Sequence, residues 1–375
     1  MPSRLTTLLW ALLLALLRGQ SDQWIPASNL SAWYSDFDLC LVHSSSNGSI
    51  DEISRQCEKQ SAPKAPTRCR AGNTWPSQAA YCSAQDLPFS ERLSMQRAQQ
   101  GYDQPSAQPL RSFFGRLAQE GGALLIVGDS VMQQFYSALA CELEREGVWT
   151  DTSRFSNTDE VQYVRPYPNS SPVQIRFLPI YHFVNGRYER TPHAAMHSLK
   201  ATLMQMTLDH SSLTVVANMG LHFIDNPAPG FSRHDYQSQM RHALTYMHTF
   251  AKNASKTVRV FWRETSAQHF PTSNGYWPGV KYSHTLRLAC TPLADPSPQA
   301  DWRNRDIERI VSEKGLFMIK IIPFYNLTAP LWDAHPSGHL KDCTHFCWTP
   351  MLYQSVFHRM DQGMGEVWNK NPQNP

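Results

Sequence analysis

The sequence predicts an α/β fold with a mostly parallel sheet. Three observations lead there. From residue 121 onward, short apolar runs alternate with segments of helical period. The runs are nearly continuous in apolar residues, as in strands covered on both faces. The chain has 375 residues and 41% hydrophobic content, enough for one large core with an appendage.

The elements follow in chain order. ALLIVGD (123–129) is the first predicted strand. Val131, Phe135, Ala138 and Leu139 then fall at helical spacing, with Gly147 as the stop. VQIRFLPIYHFV (173–184) reads as a strand region and 194–206 as a helix. LTVVANMG (213–220) is a short buried strand with Asn218 near its end. A helix around 233–252 precedes the strand at 257–265. DIERIVSEKG (306–315) is a helix ending in Gly, 316–324 a strand, and 350–360 the last helix. No internal repeat is visible.

Residues 23–115 differ from this pattern. They hold four Cys, many Ser, Gln and Pro, and no long apolar run. An irregular, disulfide-held segment packed on the core is expected. A free linker is the competing reading, and Trp24, Trp33, Tyr34, Phe37 and Trp75 argue against it. The domain plan is therefore 1–22, 23–115 and 116–375.

Residues 1–22 read as a secretion signal, cleaved or retained as an anchor. Arg4 flanks a 13-residue apolar stretch from Leu5 to Leu17. That is short of the roughly 20 residues of a membrane span. Nothing later in the chain reads as a span. Eight Cys, at 40, 57, 69, 82, 141, 290, 343 and 347, are expected to pair in an oxidising lumen, in an order the spacing does not choose. Zinc is the competing use, and the chain has no CxxC pair to support it. Sequons stand at Asn29, Asn47, Asn169, Asn253 and Asn326. Net charge is +3 with no long basic run, so nucleic acid is not an expected partner.

Chemistry concentrates where apolar runs end. Ser130 follows the first strand and opens the next helix, where unpaired N–H groups and a positive dipole favour an oxygen that gains negative charge. Its own backbone N–H can help hold an oxyanion. Asp129 and Ser130 are also good helix caps, which is the plainer reading. A serine nucleophile needs a base and an orienting group. Asp342 and His345 are three apart, between the last strand and the last helix, and can share one helical face. A surface loop with a satisfied His is the alternative. Asn218 ends a buried strand and can donate to an oxyanion, or it can simply open a turn. Trp277 and Trp348 can stack on sugar rings or serve as packing aromatics.

These pieces together resemble the GDSL/SGNH hydrolase superfamily, and more closely the trichome birefringence-like (PC-esterase type) family of polysaccharide O-acetyltransferases. The blocks that carry the likeness run in order across about 115–360. They are Gly128-Asp129-Ser130, then Asn218-Met219-Gly220-Leu221-His222, then Trp262 to Phe270 (WRETSAQHF). Asp333-Ala334-His335-Pro336-Ser337 and Asp342-Cys343-Thr344-His345-Phe346-Cys347-Trp348 complete them. The cysteine-rich segment before them is similar as well.

The resemblance implies a three-layer SGNH-like sandwich and a Ser130–His345–Asp342 triad. It implies an oxyanion hole from the Ser130 N–H, Asn218 and the residue three after the serine. That residue is Gln133, where the family usually has Arg. Asp129, His222, Arg263 and His335 are implied to face substrate. Ser266-Ala267 stands for the family's Ser-Pro, and the Leu-Pro-Gly after the last Cys is missing.

The implied reaction moves an acetyl group from a donor, through an acetyl-serine, to a polysaccharide hydroxyl. No bound cofactor or metal is expected, only an acetyl donor. The implied setting is the Golgi lumen or another secretory compartment, soluble or type II anchored, with secretion as the alternative, and the chain is expected to be a monomer. A carbohydrate acetyl-esterase with the same triad and a non-catalytic glycan-binding protein are the rival functions.

Overall fold

The computed structural model describes residues 109–145, 149–150, 161–180, 194–223, 232–277, 290–296, 301–332, 335, 343–346 and 350–365. The segments expected to be a signal and a cysteine-rich region, up to residue 108, lie outside the described residues, as do Asp342 and Trp348.

The chain alternates strands and helices, as its hydrophobic pattern predicts. Helix α1 (Pro109–Gln119) precedes strand β1 (Gly122–Gly128), and helix α2 (Ser130–Arg145) follows it. Strands β2 (Trp149–Thr150), β3 (Val161–Arg165) and β4 (Val173–Pro179) come next. Helix α3 (Ala194–Asp209), β5 (Ser212–Asn218), α4 (Arg233–Asn253) and β6 (Thr257–Arg263) continue the alternation. Helix α5 (Trp302–Glu313), β7 (Ile319–Ile322), the short α6 (Tyr325–Thr328) and α7 (Pro350–Gly365) complete it.

The strands form one sheet in the order β2-β3-β4-β1-β5-β6-β7. β4, β1, β5, β6 and β7 run parallel, and β2 and β3 add an antiparallel margin. β1 sits in the middle. The chain leaves it towards β4 on one side and returns to β5 on the other, which makes its carboxyl end a topological switch point.

Every residue of β1 and β5 is buried. Alternation along β1 feeds two cores. Leu124 and Ile126 pack with α1, α2 and α7, including Phe113, Phe135 and Phe357. Ala123, Leu125 and Val127 pack with α3, α4 and α5, including Leu199, Leu244 and Ile307. Burial of one such aliphatic side chain contributes about 1.5–3 kcal/mol. The layers are therefore helix, sheet, helix.

Some predicted bounds shift for local reasons. The helix expected at 306–315 starts earlier, at Trp302, because Asp301 caps it by accepting from the Arg303 and Asn304 N–H groups. The strand expected at 316–324 shortens to Ile319–Ile322. Leu316 N–H turns back to the Val311 carbonyl and Ile319 N–H to the Leu316 carbonyl, so 316–318 form a turn. Helix α1 straddles the boundary drawn at residues 115 and 116 and packs against α7 and β1. Of the sequons, Asn169, Asn253 and Asn326 are exposed. No helix among the described residues is long and apolar enough to cross a membrane.

Candidate active site

The site forms where β1, β5 and β6 end together. Gly128 lies opposite Asn218 in the β1–β5 register, and Ala217 lies opposite Trp262 in the β5–β6 register. Gly128 must be glycine. Its φ is +153°, and a Cβ there would sit 1.9 Å from the Asn218 carbonyl oxygen. The chain then turns sharply from strand to helix, which delivers Ser130 as the first residue of α2.

Asp129 makes that turn rigid. It is fully buried. Its Oδ1 accepts from Val131 N–H at 3.2 Å, and its Oδ2 accepts from Gly220 and Leu221 N–H at 3.1 and 3.3 Å. Its carboxylate thus caps α2 and ties the loop after β5 to the loop after β1. This corrects the expectation that Asp129 faces substrate: its oxygens are taken up by backbone donors.

Asn218 also departs from expectation. It is fully buried, and its Nδ2 donates to the Arg263 carbonyl at 2.8 Å and to Thr265 Oγ1 at 3.0 Å. The carbonyl fixes which end of the amide is nitrogen, because two oxygens would repel there. Both side-chain donors are spent on the end of β6, so Asn218 does not offer them to an oxyanion at Ser130. Its Oδ1 is buried with no hydrogen-bond partner.

Arg263 lies beneath the site, not in it. Its guanidinium carbon stands 4.4 Å from the centroid of the Phe324 ring and 6.0 Å from that of Phe135. Burial pulls its pKa down to about 10, so it stays charged at neutral pH. The expected substrate contact is corrected: the side chain is enclosed by the aromatic core.

The segment after β6, residues 264–270, is buried without regular structure. Side chains satisfy its backbone. Asn304 accepts from Thr265 N–H at 2.8 Å and donates to the Thr265 carbonyl at 3.0 Å. Thr328 Oγ1 accepts from Ala267 N–H at 3.0 Å. Glu264 Oε2 accepts from the Phe324 and Tyr325 N–H groups at 2.8 and 2.9 Å, and burial raises its pKa. Arg303 secures the neighbouring loop by donating from Nε to the Gly220 carbonyl and from Nη2 to the Phe223 carbonyl, at 2.8 and 2.7 Å.

His345 arrives on the 343–346 loop, which three tethers hold. Gln134, one turn along α2 from Ser130, donates from Nε2 to the Phe346 carbonyl at 2.6 Å and accepts from Phe346 N–H at 3.2 Å. Cys343 forms a disulfide with Cys290, and its carbonyl accepts from His269 N–H at 2.9 Å. Gln268 Nε2 donates to Thr344 Oγ1 at 2.9 Å. His345 and Ser130 are both buried.

His222 completes the group. Burial holds its imidazole below the usual range. Asp129 pulls the other way, while His345 and Arg303 lower it further. His222 is thus in electrostatic reach of both Asp129 and His345. It is half-buried in the Gly220–Phe223 loop. His335 does not take the substrate-facing position expected of it: it is buried, and its Nδ1 lies 2.6 Å from the His345 carbonyl oxygen. Trp277 packs on Phe270, ring centroids 5.0 Å apart, in line with its packing role.

Ser130 and Gln133 stand in the first turn of α2 at the end of β1, and His222 lies in electrostatic reach of Asp129 and His345. The structure withdraws Asn218, Asp129, Arg263 and His335 into supporting positions. Sequence reasoning overlooked Gln134 and His269. Gln134 had one signal, its place four residues after Ser130 on the same helical face. Protein-family models and curated proteins, compared with this chain, yield no match.

Proposed function

We propose that the chain is a serine-dependent O-acetyltransferase that modifies a polysaccharide in the secretory pathway. The observation that supports it best is the two-point Gln134–Phe346 tether, which fastens the His345 loop to the helix that begins with Ser130. A nucleophile and a base that must share a proton are thereby held by one element.

His345 takes the Ser130 proton as Oγ attacks the acetyl carbonyl carbon. The tetrahedral intermediate collapses, and the leaving group departs with that proton from His345. A sugar hydroxyl then attacks the acetyl-serine and gives its proton to His345. Collapse releases the acetylated sugar, and Ser130 Oγ takes the proton back. Asp342 is the residue the proposal assigns to orient His345.

The oxyanion is stabilised by Ser130 N–H at the positive end of α2, with Gln133 one turn on as a second donor. Asn218 supports by holding the β6 end. Half-buried His222 flanks the acceptor. The acetyl donor and the polysaccharide meet at the β1 switch point; the leader-like N-terminus and the exposed sequons support a secretory setting, and the family resemblance implies the Golgi lumen within it.

The test is mass spectrometry of the protein after incubation with an acetylated phenyl ester and then with a glycan acceptor. An acetyl adduct on Ser130 that moves to the glycan is expected, with none in Ser130→Ala. An adduct discharged only to free acetate turns the reading to the esterase. No adduct with glycan binding intact turns it to a binding protein.

A further inference from the structure

Behind His345 runs a chain of buried imidazoles. His269 Nε2 lies 2.8 Å from the Ala329 carbonyl oxygen, and His269 Nδ1 lies 2.7 Å from His335 Nε2. His335 Nδ1 in turn lies 2.6 Å from the His345 carbonyl oxygen. Both rings are buried, at 0% and 3% exposure.

The protons in this chain can be counted. A carbonyl oxygen only accepts, so His269 Nε2 and His335 Nδ1 must each carry hydrogen. The nitrogen–nitrogen contact needs one more. Three hydrogens are thus required on two rings, whereas two neutral imidazoles carry two. Turning either ring over does not escape the count, because it would set C–H against oxygen far inside the ~3.3–3.6 Å of such contacts.

We infer that His269 and His335 form a cationic pair with one extra proton, and that His335, as its imidazolium member, is a positioning residue for His345. Several observations agree. Burial pushes His269 down to about 4, so the extra proton resides on His335. The Phe346 ring lies 4.4 Å from the His335 ring, centroid to centroid, within cation–π range. The 2.6 Å contact with the His345 carbonyl requires a hydrogen on His335 Nδ1. The His345 backbone is then held by a cation on one side and by Gln134, through Phe346, on the other.

The positioning role rests on the proposed use of His345 as the base; the proton count does not. The test is nitrogen-15 NMR of the full chain with labelled histidines at neutral pH. His335 is expected to show hydrogens on both ring nitrogens, with a coupling across the hydrogen bond to the His345 carbonyl carbon that also assigns the signal. A singly protonated His335 overturns the pair. In folded His335→Gln, Ser130 acetylation at saturating donor should slow about 10- to 100-fold with KM unchanged. An unchanged rate overturns the positioning role. A wild-type chain whose Ser130 never acetylates, yet whose His335 is doubly protonated, refutes the proposed reaction and leaves the cationic pair standing.

Discussion

Gln134 and Phe346 meet through both ends of one amide: Nε2 donates to the Phe346 carbonyl, and Oε1 accepts from its N–H, at 2.6 and 3.2 Å. The two residues are 212 positions apart. The contact imitates a rung of β-ladder, with a side chain in place of the second strand. Gln134→Leu keeps the bulk and strands two buried backbone groups, at about 1–3 kcal/mol each. On the proposed mechanism the acetyl-adduct rate at Ser130 should fall about 100-fold, because His345 is no longer held in register with Ser130. Gln134→Glu keeps the acceptor and should lie between the two. Stopped-flow acylation with denaturant titration checks both effects.

Gly128→Ala should cost more than about 3 kcal/mol, since the added carbon would collide with the Asn218 carbonyl at the narrowest point of the site. Gly315→Ala is the control. It too has positive φ, +58°, in the left-handed helical region, with nothing within 4 Å, so about 1–2 kcal/mol is expected. Equal losses in urea unfolding would refute the close-approach argument.

The Cys290–Cys343 bond closes a loop of 53 residues. Chain entropy assigns such a cross-link about 4 kcal/mol. Cys290→Ala with Cys343→Ala should lower stability by about that amount and slow acylation more than a distant destabilisation of equal size, because Cys343 stands two residues before His345. Matching the pair with a core variant of equal stability decides this.

Acid should weaken the fold through His269. Its imidazole is held at about 4 by burial, below the ordinary 6.5, so the native state takes up that proton later than the unfolded chain. A second proton would also set N–H against N–H at His335. The stabilising contribution is complete above pH 6.5 and is lost as pH falls through about 4. Each unit of difference corresponds to about 1.4 kcal/mol. Urea titrations at pH 7, 5.5 and 4 should show the loss, and His269→Asn should flatten it.

The layered fold was legible because its strands are buried on both faces and so appear as unbroken apolar runs. β2 and β3 escaped notice: β3 shows only partial burial, and β2 is two residues long. The short α6 lacks a side-chain cap that could announce it. At the site, the place of Ser130 was readable from the strand-to-helix punctuation. The use of Asp129, Asn218, Arg263 and His335 was not. Each is a polar residue of an apt type, and whether its polar atoms face outward or into the surrounding structure depends on partners 10 to 128 residues away. Gln134, His269 and Asn304 act only through such distant contacts, which spacing does not encode.

The two outermost strands are also the shortest in the sheet, two residues in β2 and four in β7. A lone edge of that length offers a stranger few hydrogen-bonding rungs. The broad hydrophobic sheet at the heart of the molecule is thus trimmed at both margins, a geometry that discourages fibre growth by lateral addition of further copies.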